Sequence, residues 1–166
     1  MSSSLPPHHP DRAILEADLR DFATLVPPSG LALLRLLGVA AGLRVLNGLR
    51  GWQVVIPKGP CSNAGGAKTW ARLSAVIGEP AMLQLSQEMG GECLEVPTLD
   101  ALRKERRNHA IRTQFDRLTA PTPAGEGLSK TRAVQELGLM HALTWRQLEV
   151  ILDRPSLAPI PQHDLF

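Results

Sequence analysis

An internal repeat constrains the fold of this 166-residue sequence more than any other feature does. Residues 33–58 align with residues 73–98 without a gap at an offset of 40, and six of the 26 aligned positions are identical. Two of the identical pairs are glycines and one is a proline: glycine allows backbone conformations that other residues avoid, and proline fixes φ. Their coincidence predicts two copies of one supersecondary unit. The identical pairs are Leu33/Leu73, Gly38/Gly78, Ala41/Ala81, Leu43/Leu83, Gly51/Gly91 and Pro57/Pro97.

Each copy is typical of a short helix, a glycine, a second helix, a glycine turn, a strand and a proline. The first glycine, Gly38 or Gly78, suits the left-handed position that closes a helix. Pro80 suits the first turn of the helix that follows. Residues 54–56 and 94–96 then alternate in hydrophobicity with a period of two, which predicts two short strands.

Two such short strands need a pairing partner, because an isolated strand of this length is not stable. They can pair with each other, with a second copy of the chain, or with both. An exposed strand edge is a natural seam between two copies. We therefore expect a homodimer whose interface is formed by apolar residues of the two repeats. These residues are Leu43, Leu46, Trp52, Val54, Ile56, Leu83, Leu94 and Val96.

The segments that flank the repeats predict the remaining organisation. We expect a helix over residues 11–26, capped by Asp11 and ended by the Pro27–Pro28 pair. Residues 59–69 only approximate a phosphate-binding loop, and we interpret them as a flexible surface loop. The expected order is a disordered lead (1–10), a repeat-containing dimerisation region (11–98), a basic connecting helix (99–118), a linker (119–127), a helix-turn-helix (128–154) and a tail (155–166).

The sequence also carries information about the compartment. Its longest apolar stretch, residues 31–49, is interrupted by Arg35 and Arg44, and no signal-peptide pattern opens the chain. Two cysteines, Cys61 and Cys93, provide no disulfide framework. We therefore expect a cytoplasmic protein.

The charge is unevenly distributed along the chain. The formal net charge is only +2, yet residues 99–118 carry six basic and three acidic side chains. Clustered basic side chains attract phosphates, so this block favours an anionic partner, with nucleic acid first. The alternative interpretation is an ordinary solvated helix face.

The C-terminal region is typical of two short helices joined by a tight turn. Ser129 is placed to cap the first helix, and Thr144 with Gln147 forms a capping box for the second. We place the turn at residues 142–143, and the alternative is a turn at residues 138–139. Either arrangement is compatible with a helix-turn-helix, in which the second helix enters the major groove of DNA.

In that interpretation the side chains divide into two groups. The base-reading residues are Thr144, Arg146, Gln147, Glu149 and Val150. The phosphate-binding residues are Arg103, Lys104, Arg106, Arg107, Arg112, Lys130 and Arg132, with Arg154 after the second helix. The alternative is a plain helical hairpin with no role in DNA binding.

No residue pattern points to catalysis. The five histidines lack metal-ligand spacing with one another or with the cysteines, and no serine or cysteine lies in a recognisable nucleophile motif. No pair of carboxylates has an acid–base context. We expect neither an enzyme, nor a cofactor, nor a metal site.

Taken together, these features resemble the Mor transcription-activator family of Mu-like phages. The resemblance rests on "LLGVAAGLRVLNGLRGWQVVIPK" with its repeat "VIGEPAMLQLSQEMGGECLEVPT", on the basic helix "ALRKERRNHAIRTQFD", on the linker after it and on "LTWRQLEVIL". It covers about residues 31–152. It implies that residues 54–56 and 94–96 are strands of a dimerisation region and that residues 144–152 form the recognition helix.

The resemblance also implies a function. A homodimer would bind a two-fold DNA element in a bacterial host cell and activate a phage promoter by contacting host RNA polymerase. The sequence departs from the family pattern at residues 49–51, where Leu-Arg-Gly replaces a double glycine, and in its long linker. The alternatives are a protein-interaction module, in which the C-terminal helices bind a protein partner, and a repressor with the same DNA-binding mode.

Overall fold

The computed structural model describes residues 12–60, 63–121 and 126–155. Within them the chain is mainly helical with one two-stranded antiparallel sheet, which confirms the mainly α fold with short strands. It divides into two compact units, residues 13–102 and residues 103–155 together with Arg12. The elements are α1 (Glu16–Asp21), α2 (Pro28–Gly48), β1 (Gln53–Val55), α3 (Ala64–Ile77), α4 (Glu79–Met89), β2 (Cys93–Glu95), α5 (Asp100–Thr119), α6 (Lys130–His141) and α7 (Trp145–Asp153).

The strands of the two repeat copies pair with each other. Val54 lies opposite Leu94, its own counterpart in the repeat, and Gln53 lies opposite Glu95, the counterpart of Val55. Antiparallel pairing between equivalent residues is the arrangement that a two-fold axis produces. The first unit therefore contains an approximate internal two-fold axis through the Val54–Leu94 pair. The structure thus shows that the two strands pair with each other, which is one of the pairings that the sequence predicted.

The hydrogen bonds at the ends of the strands follow the same symmetry. The amide of Gly51 donates to the carbonyl of Val96 (3.0 Å), and the equivalent amide of Gly91 donates to the carbonyl of Ile56 (2.7 Å). Both glycines have a positive φ, 70° and 93°, so each turns the chain into its strand as predicted. The duplication thus extends from the sequence to the backbone hydrogen bonds.

Each copy also changes helix direction at its first glycine. Gly38 interrupts α2 with φ 75° and ψ 164°, and Gly78 separates α3 from α4 with φ 89° and ψ 151°. The predicted positive φ is confirmed, but ψ is extended rather than helical, a region that is essentially restricted to glycine. Each glycine therefore joins two helices, and Pro80 lies in the first turn of α4 as predicted.

The structure corrects the predicted interface between two copies. Four of its residues lie in the core of the first unit with exposed fractions of 5% or less, namely Leu46, Ile56, Leu94 and Val96. Because one chain already buries these side chains, they are not available to a second copy. Of the other four residues, Leu43 and Val54 are half-buried and Trp52 and Leu83 are exposed.

The N-terminal helix is shorter than predicted. α1 covers only six residues, and a 3-10 turn follows over residues 23–25. The predicted cap, Asp11, lies outside the described residues. Instead, the amide of Leu15 donates to the carboxylate of Asp18 (2.8 Å), which satisfies a free amide at the helix start.

Two segments begin helices where the sequence suggested an ending or a loop. Pro28 lies in the first turn of α2 and does not terminate the preceding helix. The interpretation of residues 59–69 as a flexible loop is wrong for their second half, because α3 begins at Ala64. The side chain of Asn63 accepts a hydrogen bond from the amide of Gly66 (2.6 Å) and thereby caps α3.

Helix α2 is a core helix of the first unit. It is the only described helix that is long and apolar enough to span a membrane by length and composition alone. Eight of its residues are buried, however, and Gly38 interrupts its helical geometry. Near its C-terminal end, the side-chain amide of Asn47 accepts from the amide of Ile14 (2.8 Å) and donates to the carbonyl of the same residue (3.0 Å). This pair of bonds holds the N-terminal segment on α2.

The second unit has a small core of its own. Helix α5 covers Asp100–Thr119, which confirms the helix predicted over residues 99–118. Ser129 and Thr144 cap α6 and α7 as predicted. The buried residues of this core are Ile111, Val134, Leu137, Leu148 and Ile151.

The turn between α6 and α7 lies at residues 142–143 as predicted, and the alternative turn at Gly138 is wrong. Helix α6 continues through Gly138 to His141, and Ala142 adopts the left-handed conformation, with φ 50° and ψ 44°. A Cβ atom on Gly138 would lie 3.1 Å from the carbonyl oxygen of Leu143. The close approach of the Leu143 carbonyl to residue 138 thus explains why a glycine lies inside α6.

Replacing Ala142 with glycine is expected to raise the free energy of unfolding by about 0.5–1 kcal/mol, because an L-residue pays a steric cost in the left-handed region. Urea denaturation of the full chain measures this change. Ala71→Gly is the matched control: Ala71 is exposed in the regular part of α3, and its replacement is expected to lower stability by about 1 kcal/mol. Equal losses for both variants would contradict the left-handed turn.

Candidate nucleic-acid interface

A concave basic surface lies between α5 and α7 within the second unit. It surrounds a cavity of about 500 Å³ that is lined by four cationic side chains, Lys104, Arg107, Arg146 and Arg154. No carboxylate of the described residues lines it. We call this surface the basic cleft. Its remaining lining residues are Asn108, Leu143, Thr144, Gln147, Val150 and Ile151.

The charge pattern of the basic cleft suits a polyanion. Low-dielectric walls around groups of one sign focus their field and attract the opposite charge. Arginine and lysine side chains at a concave surface are also the usual ligands of phosphate oxygens. The cleft therefore has the chemistry that a DNA backbone requires.

Helix α7 presents a polar outer face beside the cleft. Arg146, Glu149 and Val150 are exposed, whereas Leu148 and Ile151 turn into the core. The polar groups of this face match the edges of bases: a guanidinium pairs with guanine and a carboxylate accepts from cytosine. These three predicted base-reading residues therefore remain accessible.

Two other predicted base-reading residues, Thr144 and Gln147, cap the start of α7. The backbone amide of Gln147 donates to the hydroxyl of Thr144 (3.4 Å), while the backbone amide of Thr144 donates to the side-chain oxygen of Gln147 (2.9 Å). The predicted capping box is thus confirmed. Because the cap uses the oxygen of the Gln147 amide, that side chain cannot make the two-point contact that reads adenine.

The exposed apolar side chains of α7 do not form one stripe. Trp145 is 43% exposed and Val150 is 46% exposed. Their separation of five residues corresponds to about 140° around an α-helix. Val150 lines the basic cleft and Trp145 does not. A continuous apolar stripe would have favoured a groove on a protein partner, so this distribution favours a polar binding face.

Arg112 holds α7 against α5 and does not face a ligand. Its guanidinium donates to the carbonyl of Ile151 in the last turn of α7 (3.0 Å) and pairs with Glu105 (2.8 Å). The side chains of this ion pair are only 13% and 14% exposed. A cation on the last carbonyls of a helix is favourable, so Arg112 holds the end of α7 in place. Its predicted role in phosphate binding is corrected accordingly.

Two further residues of the predicted phosphate set are buried. Arg103 is 4% exposed and Arg106 is 7% exposed. Both guanidinium groups donate to the carbonyl of Arg12, at 2.8 and 3.0 Å. Their prediction as phosphate ligands is wrong for this structure, because these groups are engaged inside the unit. Lys130 and Arg132, by contrast, are exposed on the first turn of α6.

The cleft also contains a residue that the sequence did not single out. Asn108 is 7% exposed and lines the cleft beside Arg107. The guanidinium of Arg107 approaches the side-chain oxygen of Asn108 only at 3.5 Å, and its buried Nε has no hydrogen-bond partner within the described residues. A buried donor of this kind is costly unless an ordered water or a ligand satisfies it. The only sequence sign of this role was that Asn108 directly follows Arg107 in the basic helix.

No group of three or more His, Cys, Asp or Glu side chains in the described ranges could hold a metal ion. The thiol of Cys93 is free and exposed on β2, and Cys61 lies outside the described residues. The ring of His141 is hydrogen-bonded to the side-chain oxygen of Gln114 (2.7 Å), which ties the end of α6 to α5.

In comparisons with known proteins, no family model, no curated protein and no solved structure matches the chain. The resemblance to the Mor family therefore stays a prediction.

Proposed function

We propose that the chain is a sequence-specific DNA-binding regulator of transcription. In this proposal α6 and α7 act as a helix-turn-helix, and α7 enters the major groove. Arg146, Glu149 and Val150 read base edges, while the other cations of the basic cleft bind backbone phosphates. The chain is a binding protein in this account and not an enzyme, and it needs no cofactor.

One observation carries the proposal: four cations line a single cleft that borders the exposed face of a capped helix. A phosphate ligand needs the cations, and a base pair needs the exposed polar side chains of α7. Lys130 and Arg132 add exposed positive charge at the start of α6. Together these groups supply both kinds of contact that a specific protein–DNA complex uses.

The resemblance to the Mor family adds the biological context. It supports an activator that works in the cytoplasm of a bacterial host and contacts host RNA polymerase at a phage or prophage promoter. A repressor would bind DNA in the same way, and the position of the site relative to the promoter decides between them. The predicted homodimer on a two-fold DNA element is not part of this proposal, because four of its interface residues are buried within one chain.

The direct test is enrichment of binding sites from a library of random duplexes by the full chain. We expect one recurring sequence. Arg146→Ala is expected to lose about 1–3 kcal/mol of discrimination at a single base pair of that sequence, because a guanidinium that reads guanine has no substitute there. Arg20→Ala, which removes an exposed arginine from α1, is the matched control and should leave the recurring sequence unchanged. An unchanged preference with Arg146→Ala would remove this residue from the base-reading set.

A second candidate function is supported by a different surface. Leu139 and Met140 on α6 are 86% and 59% exposed, which is unusual for adjacent apolar side chains. Such a pair favours a protein partner that binds the C-terminal helices. The library experiment separates the two functions, because failure to enrich any DNA sequence would favour the protein-interaction module.

A further inference from the structure

The two-fold relation inside the first unit has a consequence for stoichiometry. Strand pairing between equivalent residues is what two copies of a chain would make across a dimer axis. Here the residue opposite Val54 is Leu94 of the same chain, at the repeat offset. The apolar residues Ile56 and Val96 that follow the strands are 0% and 1% exposed in the core of this unit. One chain therefore satisfies the contacts that a pair of chains would otherwise have to share.

The outer edges of the sheet are poorly suited to adding a further strand. Each strand is only three residues long. Each is preceded by a positive-φ glycine and followed closely by a proline, either Gly51 and Pro57 or Gly91 and Pro97. A proline offers no N–H to a neighbouring strand, and short edges resist further pairing. The sheet is thus complete within one chain.

We infer that the chain is an internally duplicated pseudo-dimer that works as a monomer and binds an asymmetric DNA element. The DNA part of this inference rests on the proposed function, whereas the monomeric state does not. A dimeric helix-turn-helix protein reads two half-sites about one helical turn apart. With one α7 per molecule, this chain covers a single half-site of roughly 10 base pairs or fewer.

The first arm of the test uses the unaltered full chain without DNA. Light scattering coupled to size exclusion, at increasing protein concentrations, measures its mass. We expect 18.0 kDa, the mass of one chain, at every concentration. A stable species of twice that mass would overturn the inference and leave the proposed DNA binding untouched.

The second arm tests whether the strands pair within one chain or between two. Ile56 donates its amide to the carbonyl of Glu92 (2.9 Å), so the adjoining Val55–Cys93 pair is a non-hydrogen-bonded pair, in which side chains approach most closely. Val55 is 60% exposed and Cys93 is exposed. The variant Val55→Cys/Cys61→Ser therefore places a second thiol opposite the natural one and removes the other native thiol.

On mild oxidation we expect this variant to form a disulfide within one chain, seen as a monomer band without reducing agent and as the loss of both free thiols in a thiol titration of the denatured protein. A disulfide-linked pair of chains would overturn the inference, and so would the absence of any disulfide in the folded variant. Cys61→Ser alone is the matched control, which should show no cross-link. The mass measurement keeps the inference testable if the double variant does not fold.

The third arm measures the DNA complex. We expect one chain per duplex in the complex and an enriched sequence without two-fold symmetry. A palindromic footprint with two chains bound would overturn the inference while supporting the proposed function. If no DNA binds at any salt concentration, the proposed function and the DNA part of the inference fail, and the mass and cross-linking results still decide the monomeric state.

Discussion

Replacing Leu148 with alanine is expected to lower the stability of the second unit by about 3 kcal/mol. Leu148 is 0% exposed and packs in a small core cluster with Ile111, Val134, Leu137 and Ile151. Truncating a buried leucine costs the transfer free energy of the lost groups and leaves a cavity. A small core has few other contacts to compensate, so much of the folded population of this unit should be lost. Urea denaturation followed by circular dichroism measures the change.

Leu139→Ala is the matched control for this prediction, because the same truncation removes a side chain that is 86% exposed in α6. Its expected effect on the free energy of unfolding is within about 0.5 kcal/mol. If Leu148→Ala were as mild as this control, the α7 face assigned to the core would be wrong. The assignment of the polar face to DNA would then be wrong as well, because the buried face of α7 determines which residues lie on its exposed face.

The double variant Lys104→Gln/Arg107→Gln is expected to weaken binding to every DNA sequence by roughly 30-fold. Both side chains line the basic cleft, and each charged hydrogen bond to phosphate contributes about 1 kcal/mol or more. Since phosphates carry no sequence information, cognate and scrambled duplexes should lose affinity alike. The slope of log affinity against log salt should fall by about 2, one for each lost phosphate contact. Fluorescence anisotropy over a salt series measures both quantities.

Arg35→Gln/Lys68→Gln provides the charge-matched control for the double variant. It removes two exposed cations from the first unit and changes the net charge by the same amount. We expect an affinity within about twofold of the unaltered chain, because long-range charge is screened at physiological salt. An equal loss for both double variants would mean that net charge, and not the basic cleft, attracts the DNA.

The repeat predicted much of the first unit because its signals are local. Glycine at positions 38 and 78 reports a backbone conformation that other residues avoid, and this requirement is visible in the sequence. The strands were equally visible from their period of two. What the repeat could not indicate was whether its two copies pair within one chain, because a two-fold axis imposes the same pattern in either case.

The basic helix shows why the candidate site was predicted only in part. Arg103, Arg106 and Lys104 look equivalent in a run of charge, yet the two arginines donate to the carbonyl of Arg12, which lies 91 and 94 residues away. Such a partner has no local signature. Arg112 is similar, since its partner Ile151 comes from another helix. Which basic side chains are buried depends on tertiary contacts, so the spacing of charges along the sequence does not predict it.

At the α6–α7 turn, by contrast, local sequence signals were sufficient, although two of them disagreed about where the turn lies. Gly138 looked like the natural turn, yet the capping box of Thr144 and Gln147 required the turn to lie later. The capping residues were the better guide because they satisfy specific amide groups, whereas a glycine only permits a conformation. Ala142 then takes the strained position that a glycine would usually hold.

Competition binding tests the central claim most directly. The full chain is titrated against duplexes from upstream of its own neighbouring genes, over a salt series and with random DNA as competitor. We expect tight binding to one duplex that survives the competitor and falls steeply with salt, as binding through the basic cleft requires. Weak binding that vanishes equally on all DNA would contradict sequence-specific recognition by α7 and would favour a protein partner for the C-terminal helices.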